Sequence, residues 1–332
     1  MKLETTAIYT YLMSNLTVPD QEKISLLREQ LLGWYRANQR ALPWRETRDP
    51  YRVLVSEVML QQTQVERVIP YYHAFLERFP MVKALAEAQT AEVIRVWAGL
   101  GYNRRAVNLQ RTAQFVASEH DGEFPSSIEV LRALPGIGPY TAGAIACFAF
   151  EQDVPFLDTN MRRVLHRFWF GVDVPAPTAS DRSVMAIAEA AVPSGNGWKW
   201  NQALIEFGAL QCTARKPACV VCPLQSRCSA YPEIQTRLAT LPMGVRLKRE
   251  SPYSGSNRFY RGRVIAALRD HQGINLGSLG PLVRDDFSES DLPWLYEVVQ
   301  GLNRDGLAVF AEDEPAYRVD GNADPELKVR LP

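Results

Sequence analysis

Apolar residues recur every three or four positions over most of the first 240 residues, and no convincing strand-like alternation interrupts them. From Asp20 to about Asn38, the spacing of Leu27, Leu31, Trp34 and Tyr35 predicts an amphipathic helix. After a loop with Pro43 and Pro50, the segment YRVLVSEVMLQQTQVERV predicts another helix, stopped by Pro70. Helices are also expected over Tyr71–Arg78, Ala91–Trp97, Arg104–His120 and Ile128–Ala133, with Pro80, Gly99 and Gly101 marking junctions. The hairpin LPGIGPYTAGAIACFAF, the segment PFLDTNMRRVLHRFW and helices near Ser180–Ala191 and Lys199–Gln211 follow.

Beyond about Met243 the pattern changes. Residues 243–257 are polar, with glycine, serine and proline, and read as a linker. In the remainder, 258–332, Arg261–Arg269 and Ser290–Arg304 have helical periodicity. LAVFAEDEPAYRV reads as two short strands around an acidic turn, and LKVRL as a third strand. The expected fold is therefore mainly α, with a small C-terminal α+β unit resembling a winged helix.

Composition narrows the class. The 332 residues suit two or three units, and 46% apolar with 22% charged residues is ordinary for a soluble globular chain. No apolar run is long enough to span a membrane, and MKLETTAIYTYLMSNL lacks the features of a secretory signal, so a cytoplasmic location is expected. Basic and acidic residues balance at 37 each, which leaves nucleic-acid binding to a local basic face.

Five cysteines make an odd set for disulfides, and four of them cluster. Cys212, Cys219, Cys222 and Cys228 form C-x6-C-x2-C-x5-C. Zinc ribbons present two C-x2-C knuckles; this single knuckle with wider loops favours an iron–sulfur cluster, with zinc as the alternative. Cys147, in an apolar helix, reads as a core residue.

Leu134-Pro135-Gly136-Ile137-Gly138 joins two helical segments. Gly136 and Gly138 would let the backbone approach another surface, and the amides opening the second helix can hold a phosphate. A plain turn in a helical bundle is the simpler reading.

Two carboxylates carry candidate chemistry. Glu57 lies in the apolar VLVSEVML, where burial would raise its pKa toward what a general acid needs; an exposed glutamate on an amphipathic helix is the ordinary alternative. Asp158, in FLDTN, precedes a helix that it, Thr159 or Asn160 could cap. Such a pair suits glycosidic cleavage, in which one group protonates the leaving group and a second charge stabilises the cationic sugar.

LPWR at 42–45, PY at 50–51, SEVMLQQTQV at 56–65, GLGY at 99–102, LPGIGPYTAGAI, LDTN, NQALIEFGAL and the four cysteines together resemble the adenine DNA glycosylase family of the helix-hairpin-helix class, over about residues 25–230. The resemblance implies a helix-hairpin-helix glycosylase region over 1–242. It would comprise a six-helix barrel (about 46–152) and an iron–sulfur domain (20–45 with 153–232) holding a [4Fe–4S] cluster on Cys212, Cys219, Cys222 and Cys228.

It further implies that Glu57 protonates a mispaired adenine and then activates or positions water, that Asp158 stabilises the sugar cation, and that Tyr140 and Asn160 support them. Gln61, Gln62 and Tyr102 would probe or wedge the duplex as the base is flipped out. Arg40, Trp44, Arg45 and Gln202 match the base-pocket region, and Arg215, Lys216 and Arg227 could face phosphates. Bifunctional relatives carry a lysine where this chain has Tyr140, so a monofunctional enzyme is expected.

Three positions depart from the family pattern. Asn103 replaces a second tyrosine, Thr159 replaces a glycine, and the C-terminal unit lacks the Nudix-like pattern that reads 8-oxoguanine, with Phe287-Ser288 followed by Glu289. The opposite base, 8-oxoguanine or G, is thus left open. From Asp285 onward the unit is acid-rich, and it is expected either to contact a protein partner or to hold DNA through a limited basic face. The partner is double-stranded DNA carrying a mispaired or damaged base, met by a monomer. A mismatch thymine or uracil glycosylase and a non-catalytic iron–sulfur scaffold are the competing readings.

Overall fold

The computed structural model describes residues 20–240, 253–271, 273–310 and 323–332. The N-terminal stretch, most of the linker, and the acidic turn and second strand expected in LAVFAEDEPAYRV lie outside the described residues. Helices run in the order α1 (Gln21–Asn38), α2 (Pro50–Leu60), α3 (Val65–Arg78), α4 (Val82–Glu87), α5 (Thr90–Val96), α6 (Arg104–Glu119), α7 (Ile128–Ala133) and α8 (Pro139–Phe148). They continue as α9 (Thr159–Trp169), α10 (Asp181–Ala191), α11 (Gly197–Leu210) and α12 (Glu233–Thr240). The C-terminal segment adds α13 (Asn257–Asp270), β1 (Ile274–Asn275), α14 (Leu276–Val283), α15 (Leu292–Arg304), β2 (Val309–Phe310) and β3 (Lys328–Arg330).

Several helices start where a side-chain oxygen meets a free amide. Asp20 caps α1, Ser127 caps α7, Asp158 caps α9 and Ser180 caps α10, each accepting from the amide three residues on. The segment read as one helix up to Pro70 is in fact two. The chain breaks at Gln62, whose φ of 56° is left-handed, and restarts as α3 with Pro70 inside it. There the proline forfeits one backbone bond, while Val68, Tyr72 and Phe75 keep the buried face of α3 intact.

The chain divides into two compact units, one of Met1–Pro50 with Gly138–Leu247 and one of Tyr51–Ile137 with Lys248–Pro332. In the first, α11 packs against α1 and α9, and α8 packs against α11. Helix α8 is buried from Thr141 to Phe148, and a Cβ on its Gly143 would come within 2.7 Å of Phe156. These contacts group α8 with the cysteine-bearing segment.

In the second unit, α4 and α5 lie against α6. The C-terminal module shares that core: Leu268, Leu276, Leu295, Val299 and Val329 cluster with Ala91, Ile94 and Val107. The Pro332 carbonyl also accepts from the Ala91 amide at 2.9 Å.

The module has the helix, strand, two helices and two strands of a winged helix. Its sheet is antiparallel in the order β1-β3-β2, with Ile274 opposite Val329 and Val309 opposite Arg330. Helix α14 escapes the periodicity argument because LGSLGPLV holds two glycines and a proline. Phe287 lies over Gly280, and Ser288 caps the turn before α15 with Asp291, so this stretch serves the module's own packing.

Candidate active site and cluster loop

Asp158 is fixed by its own helix. Its Oδ1 accepts from the Met161 amide at 2.6 Å and its Oδ2 from Asn160 Nδ2 at 3.0 Å. Burial raises its pKa above the ordinary value, although those hydrogen bonds and nearby Arg163 oppose the shift. Tyr140, in the first turn of α8, packs edge-on to Phe156 at 5.5 Å between ring centroids. Asn160 therefore contacts Asp158 directly, while Tyr140 stands on the aromatic wall leading to the FLDTN segment.

The network continues from Asn160 to the cysteine loop. Asn160 Oδ1 accepts from Arg163 Nη2 at 2.8 Å, and Arg163 also donates to the carbonyls of Cys212 (2.8 Å) and Gly208 (2.6 Å). One helical turn on, Arg167 donates to the carbonyls of Thr213 and Ala214 and reaches within 3.8 Å of Cys212 Sγ. Helix α9 thus carries the carboxylate at its start and the clamps of the cysteine loop along its body. Gly208 permits the fit, because a Cβ there would lie 2.7 Å from Asn160 Cβ and 2.9 Å from its backbone carbonyl.

Cys212, Cys219, Cys222 and Cys228 are all free and half-buried. The Cys222 thiol, pushed up to about 12 by burial, feels the charge of each of the other three. Among the described residues, no three such side chains converge tightly enough for one metal ion. Four thiols close enough to feel one another's charge are a donor set of the kind an iron–sulfur cluster uses. Nearby, Arg227 is partly neutralised by Asp20 and Glu22, whereas Arg215 and Lys216 are exposed.

Arg40, Arg45 and Gln202, which the resemblance assigns to a base pocket, meet around a residue that sequence reading passed over, Glu206. Its carboxylate, with no exposed surface, accepts from both guanidiniums at 2.9 Å, and Arg45 Nε donates to Gln202 Oε1 at 2.8 Å. Burial alone would push the Glu206 carboxyl up, but the two arginines outweigh it and hold it at about 2. These arginines anchor the LPWR turn, where Trp44 is buried, to α11. Only the acid in NQALIEFGAL, on the same helix face as Gln202 four residues earlier, hinted at this partner.

In the other unit, Glu57 is 6% exposed on α2, between the buried Ser56 and Val58. Gln61 and Gln62 follow at the exposed end of that helix. Tyr102, likewise left-handed at φ 49°, presents a ring that is 45% exposed. Arg105 ties these pieces together. It donates to the carbonyls of Val58 (2.9 Å), Met59 (3.1 Å) and Gly101 (3.2 Å), capping the negative end of α2 with a cation. Burial lowers its pKa to about 10, so the cation persists at neutral pH.

Gly136, at φ +79°, makes the hairpin turn, and Thr112 Oγ1 donates to the Pro135 carbonyl. Gly138 caps α8 with Pro139 at its first position, leaving the opening turn available to an anion.

A helix–hairpin–helix followed by a capping aspartate and a four-cysteine loop defines a class of base-excision DNA repair proteins. The model of the HhH-GPD superfamily of base excision DNA repair proteins matches residues 55–190, and that of the iron–sulfur binding domain of endonuclease III matches 212–228. An adenine DNA glycosylase of Mycolicibacterium smegmatis is 41% identical over 279 residues, covering 83% of this chain and 88% of that one.

Among solved structures, a thermostable thymine-DNA glycosylase superposes with a TM-score of 0.60 at 29% identity, covering 64% of this chain and 98% of that one. An endonuclease III in a DNA complex superposes with a TM-score of 0.57 at 22% identity, a likeness of fold, covering 66% of this chain and 99% of that one. The chain belongs to the adenine DNA glycosylase family. Its cysteine loop is that family's iron–sulfur site, which holds a [4Fe–4S] cluster.

Proposed function

We propose that the chain is a monofunctional DNA glycosylase that removes mispaired adenine from double-stranded DNA in base-excision repair, acting as a monomer. The observation that carries the reading is a pair of carboxylates with different surroundings in a chain of this family. Glu57 is buried within α2, and Asp158 caps α9 while its carboxylate accepts from the Met161 amide and from Asn160.

Glu57 would deliver a proton to N7 of the flipped adenine as the bond to C1′ breaks and its electron pair leaves with the base. The Asp158 carboxylate would face the developing positive charge on the sugar. Water then adds at C1′, and its proton passes back to Glu57. Tyr140 offers no amine, so no Schiff base forms and the abasic strand is left intact.

Gln61, Gln62 and Tyr102 would open the stack, while the first amides of α8 hold a backbone phosphate. Arg40, Arg45 and Gln202 would shape the base pocket through Glu206. The cluster would fix the loop after α11 as a structural group. Its target is chromosomal DNA, which in a bacterial or archaeal cell lies in the cytoplasm.

A second reading is favoured by one observation, the 29% identity to a thymine-DNA glycosylase of the same fold. Single-turnover base release from duplexes holding A opposite 8-oxoguanine, A opposite G, T opposite G and U opposite G separates the two. Adenine release that disappears in Glu57→Gln is the expected result, and the ratio of the first two rates gives the opposite-base preference. Release of T or U alone would transfer the mechanism to a different base. No release from any duplex would leave a DNA-binding scaffold.

A further inference from the structure

The C-terminal module carries an arginine that the reaction above does not use. Helix α13 presents Arg258, Arg261 and Arg263. Arg261 pairs with Asp305, and Arg263 pairs with Asp285 at 3.2 Å. Among the described residues, Arg258 has no carboxylate partner. Instead its Nη1 donates to Tyr102 Oη at 3.1 Å, and its guanidinium lies 5.8 Å from the centroid of the Tyr102 ring and 5.1 Å from that of Tyr253.

Arg105 lies 5.4 Å from the same Tyr102 ring. The ring thus stands between a half-buried guanidinium that organises its own loop and an exposed one that comes from the module. Beside it opens a cavity of about 810 Å³, lined by Gln61, Gln62 and Tyr102, by Tyr253 just before α13, and by Asn257 and Arg258 at its start.

An exposed aromatic side chain on a left-handed residue gains little from its own backbone, so contacts from side chains must hold its ring ready for insertion. A cation bonded to its hydroxyl and lying near its π-face does so. The same cation, with no carboxylate partner among the described residues, suits a phosphate in the backbone of the probed duplex.

We propose that Arg258 is a positioning residue for Tyr102, and that it brings the winged-helix module into the element that probes the duplex, its charge meeting a backbone phosphate beside the wedge. This rests on the glycosylase reading above. It also gives the acid-rich module a defined contact with DNA, confined to the start of α13.

The test uses the full chain and its cluster, comparing Arg258→Ala, Arg258→Lys, Tyr102→Phe and Arg258→Ala/Tyr102→Phe, with Arg263→Ala as control. Arg258→Ala is expected to slow base release at saturating duplex about fivefold to tenfold. It should also lower the slope of log binding constant against log salt by about one phosphate contact.

Tyr102→Phe should slow release similarly and leave the salt slope alone, and the double variant should be little slower than either single one. Arg258→Lys should recover the slope but not the rate, because lysine lacks the planar fork. Arg263→Ala should match the parent protein. Wild-type rate and salt slope in Arg258→Ala, or rate losses that simply multiply in the double variant, would overturn the proposal. If the parent protein releases no base, the glycosylase reading falls, and the salt slopes of Arg258→Ala and Arg263→Ala still decide whether Arg258 meets a phosphate.

Discussion

Asn160 joins Asp158 to the cysteine loop: its Nδ2 donates to the carboxylate at 3.0 Å while its Oδ1 accepts from Arg163, which also holds the Cys212 carbonyl. The Asp158 carboxylate, which the proposed mechanism sets against a sugar cation, is therefore braced by side chains of its own helix. The cysteine loop is linked to Asp158 through two side chains, Arg163 and Asn160.

Asp158→Asn should abolish base release, by about a hundredfold or more, while raising the melting temperature by a few degrees. The sign follows from the raised folded-state pKa. Such a carboxyl favours the fold while protonated, and that contribution is lost as pH rises through the folded value, so at neutral pH its ionised form costs stability. Asparagine keeps an oxygen for the Met161 amide and sheds the charge, at the loss of the hydrogen bond from Asn160 Nδ2, so the gain is small. The gain should therefore shrink in acid, and a variant melting below the parent at pH 7 would contradict this account.

Arg163→Gln removes the brace without touching substrate. Release at saturating duplex should fall about tenfold, with duplex affinity nearly unchanged, because the charge-assisted bonds to Asn160 and the Cys212 loop are lost together. An unchanged rate, measured beside intact cluster absorbance, would mean that Asp158 needs no support from behind.

Glu206→Ala leaves two guanidiniums facing an empty, buried site, and should cost about 3–5 kcal/mol in urea unfolding. Because its folded pKa sits at about 2 against an ordinary 4.5, its stabilisation is complete above pH 4.5 and drains away as pH falls toward 2. The parent should lose stability across that window more steeply than the variant. Parallel curves would show that the carboxylate contributes nothing in acid.

Cys222→Ser should strip the visible absorbance near roughly 400 nm and most of the bound iron. It should also loosen the segment after α11, detected as faster amide exchange over residues 212–228. Zinc in place of iron in the purified parent protein would instead point to a single-ion site.

Much of this site was legible along the chain because its signals are local. Helix positions follow from where apolar residues fall, the cysteine loop from four spacings, and Asp158 from its place before a helix start. The break at Gln62 was not legible. A left-handed glutamine carries no signal of the kind glycine gives, and Pro70 suggested a stop that α3 absorbs. Helix α14 was hidden for the opposite reason, since its glycines and proline argue against a helix that packing in the module nonetheless imposes.

The sequence by itself determined which groups are present: two carboxylates, four thiols, a hairpin and a set of polar side chains of the right kinds. Tertiary structure alone decided their partners. Glu206 meets Arg40 across 166 positions, Arg105 caps α2 from 47 positions away, and Arg258 reaches Tyr102 across 156. Such pairings depend on which helices touch and on where a glycine such as Gly208 lets backbones close, and no local period records either. A buried charge in turn is stable only where its opposite arrives, so the chemistry of each arginine and acid was settled by packing.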